Sequence, residues 1–166
     1  VHFDILPIEE KHISGFWEAL DSVAREKKYL TFLEGPPIET TRQFVLHSIK
    51  SNWAHVIAVD KDKVVGWCDI RSADIRPVVA HVGLLGIGVL ASHRGHGVGT
   101  ALLKAALEKA RNNQLTRIEL EVRENNKAAI KLYQKMGFVS EGLHQHAACV
   151  DGVYENHISM ALLYSK

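Results

Sequence analysis

The stretch Val89-Leu90-Ala91-Ser92-His93-Arg94-Gly95-His96-Gly97-Val98-Gly99-Thr100 carries the densest chemical signal in the chain. An apolar run ends at Leu90, glycines recur at 95, 97 and 99, and a helical pattern then begins. Glycine permits a tight bend and lets a ligand reach main-chain N–H groups. The first turn of a helix leaves N–H groups unpaired and partially positive, which suits phosphate. Arg94 would add a full charge. Three phosphate loops compete with a plain Gly-rich turn. A dinucleotide fingerprint, Gly-x-Gly-x-x-Gly, would need its third glycine where Leu102 or Thr100 stands. A Walker-type loop needs Gly-Lys followed by Ser or Thr, which is absent. The third pattern, Arg-x-x-Gly-x-Gly on Arg94, Gly97 and Gly99, is complete.

That third pattern resembles the pyrophosphate-binding motif of the GNAT superfamily of N-acetyltransferases. A second segment, Asn126-Lys127-Ala128-Ala129-Ile130-Lys131-Leu132-Tyr133 with Gly137-Phe138, is similar to the family's other signature and follows a strand, as there. The order of elements along almost the whole chain resembles the family too. The ending Glu141-Gly142, Asp151-Gly152-Val153-Tyr154 and Met160 looks like bacterial enzymes that acetylate small-molecule or peptide amines. The resemblance implies acetyl-CoA as acetyl donor and no metal. It implies that Ile87, Gly88 and Val89 offer main-chain groups to the pantetheine arm, one N–H facing the thioester oxygen as an oxyanion hole. Arg94, Gly95, His96, Gly97, Val98, Gly99 and Thr100 would hold the pyrophosphate. Asn126 would bond the pantetheine arm, with a helix N-cap as its plainer role. Tyr133 would protonate the departing thiolate. Ala129, Leu132, Tyr133 and Met136 also form one helical stripe, so Tyr133 equally reads as core.

The base is less legible. A lysine-like amine sits about 3.4 units above pH 7, costing about 4.6 kcal/mol to deprotonate; an α-amino group costs only about 1 to 1.4 kcal/mol. Many relatives carry a carboxylate on the long strand, whereas Val82 to Leu90 has none. Glu34, in the acceptor-side loop, is the first candidate and His81, at the strand's start, the second. Asp69 on the neighbouring hairpin strand, Glu119 and Glu121 rank behind them; each of the five also reads as structural or solvated, and a water relay stays open. His144 and His146 lie two apart and could share a strand face, without a third ligand at recognisable spacing. Cys68 lies in a strand without a catalytic partner.

These residues need a scaffold. His2 to Ile8 reads as a strand and Glu10 to Glu26 as an amphipathic helix, on Ile13, Phe16, Trp17, Leu20, Val23 and Ala24. Tyr29 to Pro37 is a loop rich in aromatic and apolar residues, read as core or as acceptor wall. Thr40 to Ser51 is a second helix with Phe44, Val45 and Ile49 inward. Val56 to Val59 and Val64 to Ile70 form a hairpin turning at residues 60–63, and Asp74 to Pro77 is loop. His81 to Leu90 is nearly all apolar, like a central strand covered on both faces. Helix Gly97 to Arg111, strand Arg117 to Val122 and helix Asn126 to Met136 follow, with Asn125 able to cap that helix and Gly137 suited to its left-handed end. Phe138 to Leu143 and Tyr154 to Leu163 close the chain around Asp151-Gly152.

The expected fold is α+β: a mixed, mostly antiparallel sheet of about six to seven strands flanked by about four helices, in one domain over residues 1–166. Lys+Arg 20 against Asp+Glu 19 gives net +1, which implies no broad cationic face for nucleic acid. Two cysteines build no disulfide framework, and no signal peptide or bilayer-length apolar run appears, so a cytoplasmic protein is expected. The expected function is acetyl transfer to the primary amine of a small molecule or peptide. A non-catalytic acyl-CoA-binding or regulatory module is the alternative, and a nucleotide-binding protein a third reading. The closing hairpin and open strand edges suit a homodimer.

Overall fold

The structure is a computed structural model that describes residues 1–73 and 76–165. Seven strands form one sheet in the order β1-β2-β3-β4-β5-β7-β6. They are β1 (Asp4–Pro7), β2 (Ala54–Asp60), β3 (Lys63–Ser72), β4 (Val82–Val89), β5 (Arg117–Arg123), β6 (Val139–Val150) and β7 (Val153–Leu163). The helices are α1 (Ile13–Ala24), α2 (Ile38–Lys50), α3 (Val98–Asn112) and α4 (Lys127–Lys135). Helices α1 and α2 pack on one face of the sheet. Helix α3 packs on the other, its fully buried Leu102 meeting Gly66 of β3. All strand pairs are antiparallel except β4 with β5. The mixed, mostly antiparallel sheet flanked by helices is therefore as expected.

The parallel pair is brief. Val82, Gly83 and Leu84 pair with Arg117, Ile118 and Glu119, and the pairing stops there. Beyond Leu84 the two strands diverge and leave a V-shaped slot in the sheet. Strand β4 stays paired with β3 along its whole length, so one edge of the slot is rigid.

Local chemistry fixes the turns. Lys61 and Asp62, at φ 48° and 67°, join β2 to β3, and Asp151 and Gly152, at φ 50° and 80°, join β6 to β7. Both are two-residue turns with positive φ at each position, which match strand twist. Gly137 ends α4 at φ 101°.

Three expectations are corrected. Helix α2 buries Thr41, Val45 and Ser48, not Ile49, which is 44% exposed. The helix is rotated because Ser48 Oγ donates to Val45 O and meets His55 of β2, so Ser48 has partners inside. Asn126, not Asn125, caps α4: its Oδ1 accepts from Ala129 N at 3.3 Å. The closing hairpin is longer than expected, and β6 is irregular between His144 and Ala148. There His146 takes φ 52° and stacks on Tyr154, while His144 turns to Glu121, so the two histidines do not act together. The Asp74–Pro77 loop lies partly outside the described residues, and Pro77 itself begins a short 3-10 turn.

Candidate active site

A cleft of about 1170 Å³ runs through the slot and opens on both faces of the sheet. On one face it is walled by Phe16 of α1, Thr41 and Phe44 of α2, and Trp67 and Asp69 of β3; on the other by Leu132 and Tyr133 of α4 and the start of α3.

Strand parity decides which main-chain groups face the slot. Leu90 N–H donates to Val65 O of β3. In an antiparallel ladder alternate residues point the same way, so Gly88 and Gly86 also turn their N–H and C=O to β3. Leu85, Ile87 and Val89 turn theirs to the slot. Val89 O already accepts from Arg94 Nε at 2.9 Å. Ile87, with both groups open, is the best-placed donor for a thioester oxygen or a pantetheine amide. Gly88 contributes by having no side chain: a Cβ there would lie 2.2 Å from the Trp67 ring.

The Gly-rich loop has the form its sequence suggests. Gly95 and Gly97 sit at φ 77° and 83°, and a Cβ at either would meet nothing within 4 Å. The left-handed backbone there is the reason for glycine, and the space above it is open. Gly97 caps α3, and Ala101 N–H is the first to bond back, to Gly97 O. The N–H groups of Val98, Gly99 and Thr100 are thus free for an anion.

Arg94 differs from the simple expectation. Its guanidinium does not stand free over the loop. It grips Glu26 through both nitrogens, Nη1 at 2.8 Å, and stacks over the Tyr29 ring at 4.6 Å. Arg94 therefore ties the glycine loop to the loop between α1 and α2. From the other side of the slot Arg123, 4% exposed, donates to Lys27 O at 2.7 Å and Leu30 O at 2.6 Å. Trp17 Nε1 donates to Pro36 O, and Gly35 N–H to Asp21 Oδ1. The aromatic loop is fixed at both ends, and Tyr29, Leu30 and Phe32 line the cleft.

Tyr133 is 6% exposed and packs at 5.8 Å from the Phe138 ring, so it is both core and cleft wall. Burial, with the nearby Cys68, pushes its pKa further up and keeps the phenol protonated, as a proton donor must be. Asn126 reaches the cleft and also caps α4. Glu34 and His81 are exposed and do not line the cleft. Glu34 pairs with Arg25 at 3.5 Å, and His81 precedes β4, where its carbonyl accepts from Thr116 and Arg117.

Asp69, a lesser candidate for the base by sequence, lies on the cleft wall. It is 6% exposed, and burial lifts its pKa to about 7, only partly offset by Arg71. The sequence signal was an isolated carboxylate inside the apolar run Val64 to Ile70.

The acetyltransferase (GNAT) family matches residues 17–138. The uncharacterized N-acetyltransferase YobR of Bacillus subtilis (strain 168) is 41% identical over 64 residues, 39% of this chain and 26% of YobR. The L-amino acid N-acetyltransferase AaaT of Escherichia coli (strain K12) is 37% identical over 107 residues, 64% of this chain and 65% of AaaT. Thus the matched stretches span less than two thirds of either relative. The structure of yncA, a putative acetyltransferase from Salmonella typhimurium with its cofactor acetyl-CoA, superposes with TM-score 0.92. That match covers 100% of this chain and 96% of that one at 13% identity, a likeness of fold. Slot, glycine loop and family match agree: this chain belongs to the GNAT acetyltransferase family.

Proposed function

We propose that the protein is an acetyl-CoA-dependent N-acetyltransferase that acetylates a primary amine by direct attack in a ternary complex. The observation that carries this reading is the slot between β4 and β5, which joins an anion-binding helix start to a buried tyrosine inside one cleft. Acetyl-CoA fits what the residues offer. The free N–H groups of residues 98–100 would hold its pyrophosphate, and Ile87 would hold the pantetheine arm and the thioester oxygen. Asn126 keeps its side-chain amide N–H groups for the same arm.

The acceptor enters on the face walled by Phe16, Thr41 and Trp67. Its neutral nitrogen adds to the thioester carbon. The Ile87 N–H holds the oxygen on which negative charge develops, in a place fixed before reaction. The carbon–sulfur bond then breaks toward α4, and Tyr133 gives its proton to the sulfur. A primary amine is consistent with the likeness to AaaT, an L-amino acid N-acetyltransferase.

The test measures thiol release from acetyl-CoA over amino acids, polyamines, aminosugars and peptides with free N-termini, beside a no-amine blank. Release with one class and formation of the acetylated amine supports the reading. Tight acetyl-CoA binding with no product from any class favours the non-catalytic binding module.

A further inference from the structure

Four carboxylates line the cleft: Asp69, Glu119, Glu121 and Glu141. Three are already engaged. Glu119 accepts from Arg117 at 2.8 Å, Glu141 from the same guanidinium at 3.1 Å, and Glu121 lies 3.4 Å from His157 and 3.7 Å from His144. Asp69 is the most buried of the four, and among the described residues no ion pair or hydrogen bond holds its carboxylate. A buried, unpaired carboxylate is costly for a fold unless something else requires it.

Its position is specific. Asp69 pairs with Gly86 of β4, the residue before Ile87, and a Cβ at Gly86 would stand 3.4 Å from its Oδ2. Glycine there leaves the carboxylate uncovered toward the strand edge that offers the oxyanion donor. Asp69 lies on the α1/α2 face, beside Trp67, whose ring meets Phe16 edge-on at 5.7 Å. Tyr133 lies beyond the slot on the other face. A group that takes a proton from an entering amine and a group that gives one to a leaving sulfur belong on opposite sides of a thioester, and Asp69 and Tyr133 wall opposite faces of the slot.

Two fully buried polar side-chain atoms on the same side lack partners: Thr41 Oγ1 and His55 Nε2. His55 is the cross-strand partner of Asp69. Ser48 Oγ spends its hydrogen on Val45 O at 2.8 Å, so it accepts from His55 Nδ1–H at 3.0 Å. His55 is then neutral with a bare Nε2, and burial holds its pKa down to about 4. Asp69 is backed by an uncharged ring, not by a cation that would quench its basicity.

We infer that Asp69 is the proton acceptor for the attacking amine. This rests on the acetyltransferase reading above. The ammonium of the acceptor gives one proton to the Asp69 carboxylate, leaving a neutral amine and a carboxylic acid. The amine adds to the thioester carbon, the carbon–sulfur bond breaks, Tyr133 protonates the thiolate, and the remaining excess proton on nitrogen passes through solvent in the cleft to restore the Tyr133 phenol. Asp69 returns its proton to solvent through the cleft. A carboxyl lifted to about 7 is matched to this task near neutral pH. The titratable or charged groups around it are His55 from β2, Cys68 and Arg71 from β3, and across the cleft Glu119 and Glu121, the last two engaged as above.

The experiment compares wild type, Asp69→Asn and Asp69→Glu on the amine of the panel that wild type turns over fastest, from pH 6 to 9, with acetyl-CoA affinity by calorimetry. If wild type acetylates no amine, the acetyltransferase reading fails first. If it does, Asp69→Asn should lose about 10²- to 10⁴-fold in kcat/KM at pH 7, the usual contribution of a general base. Its acetyl-CoA affinity should stay near wild type. The loss should shrink as pH rises, because the amine then deprotonates unaided, and Asp69→Glu should recover part of the rate. An Asp69→Asn enzyme within a few-fold of wild type, or one whose loss is the same at every pH, would overturn the inference.

Discussion

Replacing Asp69 with asparagine should make the protein more stable above neutral pH while it stops working. The carboxyl has a folded pKa of about 7 and an ordinary value of 3.8. A group raised in this way stabilises the fold fully below its unfolded pKa, and that contribution is lost as pH rises through the folded pKa. Between pH 3.8 and 7 the unfolded chain is ionised while the folded one stays protonated, so each pH unit costs about 1.36 kcal/mol. The ceiling is about 4 kcal/mol at pH 8. Asparagine removes that cost and adds a buried amide whose own desolvation returns about 1–3 kcal/mol. The offset is independent of pH and cancels in a double difference. From pH 5 to pH 8 the stability of Asp69→Asn relative to wild type should rise by about 3 kcal/mol, two units at about 1.36 each. Urea denaturation of both proteins at pH 5, 6, 7 and 8 reads it. A difference that stays flat across this range would refute the placement of Asp69 in a low-dielectric wall, and with it the reason for its basicity.

Other outcomes follow from the same geometry. Tyr133→Phe should lower kcat with the KM for acetyl-CoA little changed, since the hydroxyl acts on the leaving sulfur; unchanged kcat in steady-state assays would remove the acid role. Gly88→Ala would drive a methyl into the Trp67 ring, 2.2 Å away, and should cost about 1–3 kcal/mol in denaturant melts, whereas Gly86→Ala meets only ordinary contacts and should change stability by less than about 1 kcal/mol. His55, with its pKa lowered to about 4, contributes stability above its ordinary 6.5 that is lost as pH falls toward 4. That acid limb is about 3 kcal/mol, and in His55→Gln melts from pH 7 to 4 it should disappear.

The parts legible in the sequence are those set by local backbone demands. Gly97, Gly137 and Asp151-Gly152 require positive φ, and they mark a helix start, a helix end and a hairpin. The apolar run of β4 marks the central strand, and the motif around Arg94 marks the glycine loop that opens α3. What was not legible depends on partners far away in the chain. Arg94 reads as a free cation until Glu26, 68 residues distant, is seen to hold it. Helix α2 presents Ile49 to solvent because the buried Ser48 and His55 need each other, a pairing that hydrophobic periodicity does not register. Glu34 falls in the acceptor-side loop by sequence, but Arg25 turns it outward. Asp69 ranks behind Glu34 and His81 by sequence, and its place on the cleft wall beside Gly86 shows only in the fold.

The central claim is that the slot between β4 and β5 moves an acetyl group from acetyl-CoA to an amine. The most direct measurement follows thiol release and, by mass spectrometry, the amine product across the amine panel, for wild type and Tyr133→Phe. The account predicts one acetyl transferred per thiol released with at least one amine class, with turnover suppressed in Tyr133→Phe. Wild type that binds acetyl-CoA tightly yet releases thiol no faster with any amine than without would contradict it.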